Sequence, residues 1–278
     1  MTHAWYGPPP PQWSPYWPPP GHDPRPPLDA TAARLATENP APWGWRPVVL
    51  PCAALVGLVV AGTTATHLIR PHSADGVLAF AIIADVLVEG LLALSIWLAG
   101  RDVAARHGGW GRTFGWRRPV AADFGHAGAG ICIAFAARVT IVTVADGLTH
   151  GAAGQQSENL SVHSITAALA ILLVVLTVVC APLTEEVMFR GLLLRTFMRR
   201  VGFWPAALAS TLIFGLFHTY EVATFAGAVT LALAVGVMGL VNCVLVRLTD
   251  RLTPGILVHA TLNGLATLVI IVRASNGG

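Results

Sequence analysis

The sequence predicts an all-α fold, a polytopic transmembrane helix bundle of about seven spans (six to eight) behind a disordered Pro-rich N-terminal tail. Composition is the first observation: 54% of the 278 residues are hydrophobic, 11% are charged and the mean hydropathy is +0.64, which is membrane usage rather than that of a soluble core. The second is a series of apolar runs close to the roughly 20 residues that cross a bilayer. The third is the placement of arginine between those runs.

The spans fall at about 48–69, 77–98, 121–145, 163–182 continuing past a kink at Pro182, 203–219, 223–246 and 254–272. The stretch 163–200 is too long for one crossing at about 1.5 Å per residue. It reads either as a kinked helix emerging from the bilayer or as two elements. All 17 basic residues are Arg. The loop 100–119 holds Arg101, Arg106, Arg112, Arg117 and Arg118, later loops hold Arg195, Arg199 and Arg200 and then Arg247 and Arg251, and 146–162 holds none. Alternate loops are basic, which places them and the N-terminus in the cytoplasm of a cell (inner or plasma) membrane. A net charge of +3 reflects this sidedness and gives no case for nucleic acid. Cys52, Cys132, Cys180 and Cys243 lie in or beside spans without CxxC spacing, so neither a disulfide framework nor a thiolate metal site is expected.

Residues 1–46 form a separate tail, with 11 prolines between Pro8 and Pro27 interleaved with Trp5, Tyr6, Trp13, Tyr16 and Trp17. Proline at that density favours polyproline II and builds no core. The tail reads as disordered, and a cytoplasmic partner with an aromatic-lined groove is its functional alternative. Residues 47–145 form the N-terminal transmembrane helices and 160–273 the functional core. No charged segment with a short apolar run and cleavage site marks a signal peptide.

The run Pro182-Leu183-Thr184-Glu185-Glu186-Val187-Met188-Phe189-Arg190-Gly191 places three ionisable residues at the end of an apolar stretch. Charge at that depth is costly unless paired or hydrated, so it reads as functional. On a helix Glu186 and Arg190 share a face and can pair, whereas Glu185 points about 100° away and faces something else. His218 follows the apolar run 212–217, and His259 and Asn263 are an i, i+4 pair on the last span. Counted at about 1.5 Å per residue from the basic ends, all four polar groups reach a similar depth. A carboxylate and an imidazole flanking one water can act as general base toward a carbonyl, and a second imidazole with an amide can donate to the oxyanion. Peptide hydrolysis fits this set and needs no cofactor. The alternative is a divalent metal: Glu185, His218 and His259 could hold zinc with water in the fourth position. There is no His-Glu-x-x-His.

These residues resemble the motifs of the CPBP family, the CAAX prenyl protease and bacteriocin-processing enzymes also described as abortive-infection proteins. Glu-Glu-x-x-x-Arg stands here as Glu185 to Arg190, Phe-x-x-x-His as Phe214 to His218, and His-x-x-x-Asn as His259 to Asn263. The resemblance covers about 160–272. It implies an intramembrane endopeptidase of glutamate or metalloprotease type, acting on a membrane-associated peptide or protein. In it Glu185 and His218 would activate water, His259 and Asn263 would stabilise the oxyanion, and Glu186 with Arg190 would hold the site together. Glu221, three residues after His218, departs from the pattern. Exclusive use of Arg with abundant Ala, Gly and Pro suggests a GC-rich bacterial source. Asp85 and Glu89 share a face of the second span and Arg138 lies in the third, an arrangement expected of a structural ion-pair cluster. Asn242 and Thr230 read as helix-contact groups. The rival class is a non-catalytic multi-pass protein, either a proton-coupled transporter or an immunity or binding scaffold. A transporter should show paired half-repeats with matching broken helices, and none is visible.

Overall fold

The computed structural model describes residues 43–69, 74–151, 166–222 and 224–275, so the Pro-rich tail up to residue 42 lies outside the described residues. Every described element is helical. In chain order they are α1 (Arg46–Ile69), α2 (Ala74–Arg106), the short α3 (Gly109–Phe114), α4 (Ala121–Thr149) and α5 (Ala167–Val174). A π-helical segment (Val175–Cys180), α6 (Ala181–Glu186), a second π-helical segment (Val187–Leu193) and α7 (Leu194–Val201) follow without a break. Then come α8 (Phe203–Phe217), a 3₁₀ turn (His218–Glu221), α9 (Phe225–Thr249) and α10 (Thr253–Ser275).

Five helical stretches are long and apolar enough to cross a membrane: Ala79–Arg106, Ala121–Thr149, Ala167–Val201, Phe225–Thr249 and Thr253–Ser275. Arg46–Gly62 and Phe203–Phe217 are shorter apolar helices. Together they coincide with the seven predicted segments. The over-long stretch is one helical run of 35 residues, in which two π segments bracket the six α-helical residues containing Glu185 and Glu186. Backbone hydrogen bonding stays within the chain, as lipid requires.

Helix α9 is the hub, packing against α4, α8 and α10. It is the most buried of the five long stretches, at 56% against 17–28% for the others, and its neighbours expose broad leucine, valine and isoleucine faces of the kind that meets acyl chains. Close approach is permitted by small residues. A Cβ on Gly215 of α8 would stand 2.5 Å from the Ala232 carbonyl oxygen of α9, so only glycine fits that crossing.

The arginine-bearing loops meet at one end of the bundle. Asp250, in the left-handed conformation that ends α9, accepts from Arg117 at 2.9 Å and from Arg195 at 2.8 Å. Asp123 at the start of α4 pairs with Arg251 at 2.9 Å, and the Leu252 N–H donates to the Gly115 carbonyl. Opposite charges shared between these loops fix them on a single side of the bundle.

Candidate active site

The site is assembled on the split run, α8, α9 and α10. Proline lacks an N–H, and Pro182 at the second residue of α6 is tolerated because neighbouring groups take up what it leaves unpaired. Three residues later, Glu185 and Glu186 are both buried and point apart, as helical spacing predicts.

Glu186 is fully buried, and its Oε1 accepts three hydrogen bonds. Arg190 Nη1 donates from one turn on at 2.9 Å, Asn242 Nδ2 from α9 at 2.8 Å and His259 Nδ1 from α10 at 3.2 Å. Asn242 Nδ2 also lies 3.2 Å from the Gly255 carbonyl, tying α9 to α10. One carboxylate oxygen therefore joins three elements. Arg190 is fully buried too, with its guanidinium carbon 4.3 Å from the centre of the Phe214 ring, an arrangement in which cation–π attraction replaces lost hydration. A Cβ on Gly239 would stand 2.7 Å from Arg190 Nη2, so α9 is glycine where the guanidinium lies against it.

Glu185 faces away from this pair and toward both histidines. Its Oε2 is 3.6 Å from His259 Nε2 and 3.9 Å from His218 Nε2. His218 caps the C-terminus of α8, and its Nδ1 donates to the Phe214 carbonyl at 2.8 Å. A carbonyl can only accept, and the arginine-paired Glu186 likewise accepts. Both rings therefore carry hydrogen on Nδ1 and, when neutral, present the lone pair of Nε2 toward Glu185. The Phe214 ring packs edge-on against both imidazoles, at 4.8 and 5.7 Å between centroids. The ring contacts favour phenylalanine four residues before the histidine, whereas the carbonyl that sets the tautomer is one any residue supplies.

Asn263 is one turn beyond His259, and its Nδ2 donates to the Thr177 carbonyl at 2.9 Å. Glu185, Glu186, Arg190, His218 and His259 are thus one connected cluster, while the recorded contact of Asn263 is to the π segment before Pro182. Among the described residues, no group of three or more His, Cys, Asp and Glu side chains is arranged to hold a metal ion. Glu221 lies in the 3₁₀ turn, and its side chain falls outside what is described.

Sequence reading undervalued two groups. Asn242 read as helix glue but is a direct partner of Glu186; the available signal was its position as the single strongly polar side chain midway along α9. Glu89 accepts from Thr184 Oγ1, which joins α2 to the residue preceding Glu185. Nothing in the spacing of 89 and 184 announces that contact. Beside it, a cavity of about 230 Å³ lined by Ile96, Trp97, Trp110, Trp116, Thr184 and Val187 lies between α2, α3 and the split run.

Residues 167–265 match the family model described as Type II CAAX prenyl endopeptidase Rce1-like. The match contains all six residues named from the sequence and leaves α1 to α4 outside it. No curated protein and no solved structure matches the chain. This similarity to Rce1-like type II CAAX prenyl endopeptidases is consistent with a CPBP family intramembrane protease, and it lies within a multi-pass helical membrane protein.

Proposed function

We propose that the protein is an intramembrane endopeptidase in which Glu185 is the general base for hydrolysis of a peptide bond in a membrane-associated protein or peptide. The observation that carries this reading is the convergence of three acceptor atoms, Glu185 Oε2 and the two Nε2 lone pairs, at 3.6 and 3.9 Å. These separations exceed a direct hydrogen bond and fit a shared water. A water in hydrogen-bond contact with Glu185 and His218 is held with its lone pairs turned outward, ready to attack.

In the reaction, Glu185 takes one water proton as the oxygen bonds to the scissile carbonyl carbon. His218 Nε2 accepts the other hydrogen and orients the attack. The tetrahedral oxyanion requires donors. The second N–H of the Asn263 amide can serve, and so can His259 when its Nε2 also carries a proton. Glu185 then passes its proton to the leaving nitrogen, giving a new carboxyl terminus and an amine. Glu186 and Arg190 take no part in bond making; they hold His259 and keep α6 against α9.

The apolar cavity beside Thr184 suits the side chains of a substrate arriving from the bilayer, and the basic loops favour a cytoplasmic arginine-rich end and N-terminus. Purified protein in liposomes, given prenylated carboxy-terminal peptides and unmodified membrane peptides in parallel, tests both activity and substrate class. Glu185→Gln and His218→Ala should each lower kcat by about 100-fold or more, the range of positioned general bases. Folded variants that cleave as fast as the parent would disprove the mechanism.

A further inference from the structure

We infer that Asn263 and Thr267 of α10 are positioning residues for Glu185, holding in place the π-helical frame that aims it, with Asn263 supplying the hydrogen bond that Pro182 cannot. This rests on the reading of Glu185 as the base.

In the first π segment the ladder passes from the four-residue reach of the Val175 N–H, which meets the Ile171 carbonyl, to a reach of five. The last such bond runs from the Ala181 N–H to the Leu176 carbonyl. The next in the same frame would join position 182 to the Thr177 carbonyl, and position 182 is proline, which has no N–H. The Thr177 carbonyl accepts from another helix: Asn263 Nδ2 donates to it at 2.9 Å. A side chain from another helix thus closes the ladder where the backbone stops, the satisfaction that a broken helix needs in lipid.

The Thr177 hydroxyl adds a second tie. It lies 2.8 Å from the Leu173 carbonyl and 2.9 Å from the Thr267 hydroxyl. Leu173 O can only accept, so Thr177 spends its hydrogen there and Thr267 donates to Thr177. His259, Asn263 and Thr267 are four residues apart, one face of α10. That face contacts Glu185 and Glu186 with its first member and Thr177 with the other two. Thr267 lies beyond the 167–265 segment that matches the family model.

Frame decides aim. A π turn holds about one residue more than an α turn, so relaxing the segment to α geometry would swing the following side chains by about 100° about the axis. Glu185 would leave the histidines. Asn263 has two amide hydrogens, so one can hold Thr177 while the other is presented to substrate.

A mutant cycle on the full-length protein in liposomes separates these roles. Asn263→Ala, Pro182→Ala, their double variant and Thr267→Val are assayed for kcat and KM, with amide hydrogen exchange followed at residues 179–182. Alanine at 182 restores an N–H that can reach Thr177. Asn263→Ala should therefore cost at least about fivefold less in kcat in the Pro182→Ala background than in the parent, a coupling typical of contacting groups. Exchange at 179–181 should rise in Asn263→Ala and return toward the parent rate in the double variant. Thr267→Val, nearly unchanged in volume, should lower kcat by about threefold or more with KM held, as loss of a transition-state-only contribution does. Equal cost of Asn263→Ala in both backgrounds with unchanged exchange, or full kcat in Thr267→Val, overturns the proposal. The exchange readout needs no turnover, so it stands apart from failure of the general-base reading, which Glu185→Gln reports.

Discussion

Removing one member of the Glu186–Arg190 pair should be far more damaging than removing both. The two side chains are fully buried and 2.9 Å apart. Arg190→Met leaves a carboxylate with no cation beside it, among Asn242, His259 and the glycines of α9 and α10. Breaking a buried pair from one side costs about 3–5 kcal/mol, which moves the unfolding equilibrium by a factor of roughly 150 to several thousand. Glu186→Gln with Arg190→Met removes both charges, keeps an acceptor oxygen for Asn242 and His259, and fills the guanidinium space with an unbranched apolar chain. That double variant should recover to within about 2 kcal/mol of the parent, since matched apolar replacement of buried pairs is often near neutral. Reversible unfolding in mixed detergent micelles, followed by far-ultraviolet circular dichroism, measures both quantities. An Arg190→Met protein within about 1 kcal/mol of the parent, or a double variant no better than the single, would refute the claim that the pair is one neutral unit.

Three further perturbations follow from the geometry. Asn242→Leu removes the 2.8 Å donor to Glu186 at similar volume and should cost about 1.5–3 kcal/mol in the same unfolding assay, the range for hydrogen bonds to charged groups. Trp97→Ala opens one wall of the 230 Å³ cavity and should raise KM for apolar substrates more than it lowers kcat, as the loss of uniform binding does. Stripping purified protein with a zinc chelator should leave initial rates within about twofold on the water-activation mechanism, whereas a zinc-dependent route would lose its bound hydroxide and with it the reaction.

The sequence was most informative where one helix settles the geometry. Seven apolar segments, the i, i+4 pairing of Glu186 with Arg190 and the divergence of Glu185 all follow from the rise and rotation of an α-helix, and the structure carries each of them. What could not be read depends on contacts between helices and on the winding of one of them. Period counting assumes about 3.6 residues per turn, so it saw in 163–200 a helix too long for one crossing and a kink at Pro182. The structure keeps the run continuous, with π turns on either side of the turn that holds Glu185. Asn242 was underrated for a related reason: a lone amide in an apolar helix shows that it needs a partner and is silent about which one. Asp123 and Asp250 escaped notice because arginines near a membrane surface already have a sufficient explanation in sidedness, although Arg117, Arg195 and Arg251 are engaged in joining loops.

On the proposed reading of Glu185 as the base, the arrangement also accounts for the surrounding residues that do no chemistry. A single negative charge deep in an apolar bundle is tolerated if every other ionic group around it cancels. Glu186 and Arg190 cancel each other, and the remaining donors on Glu186, Asn242 and His259, are dipoles or rings whose protons are already committed. Glu185, the proposed base, faces two imidazole nitrogens whose tautomers are fixed from behind by a carbonyl and a carboxylate. Glu186, the paired carboxylate, can sit next in sequence to the proposed base because adjacent helical positions diverge by about 100°. That divergence lets a single turn of helix serve the scaffold on one side and the water on the other.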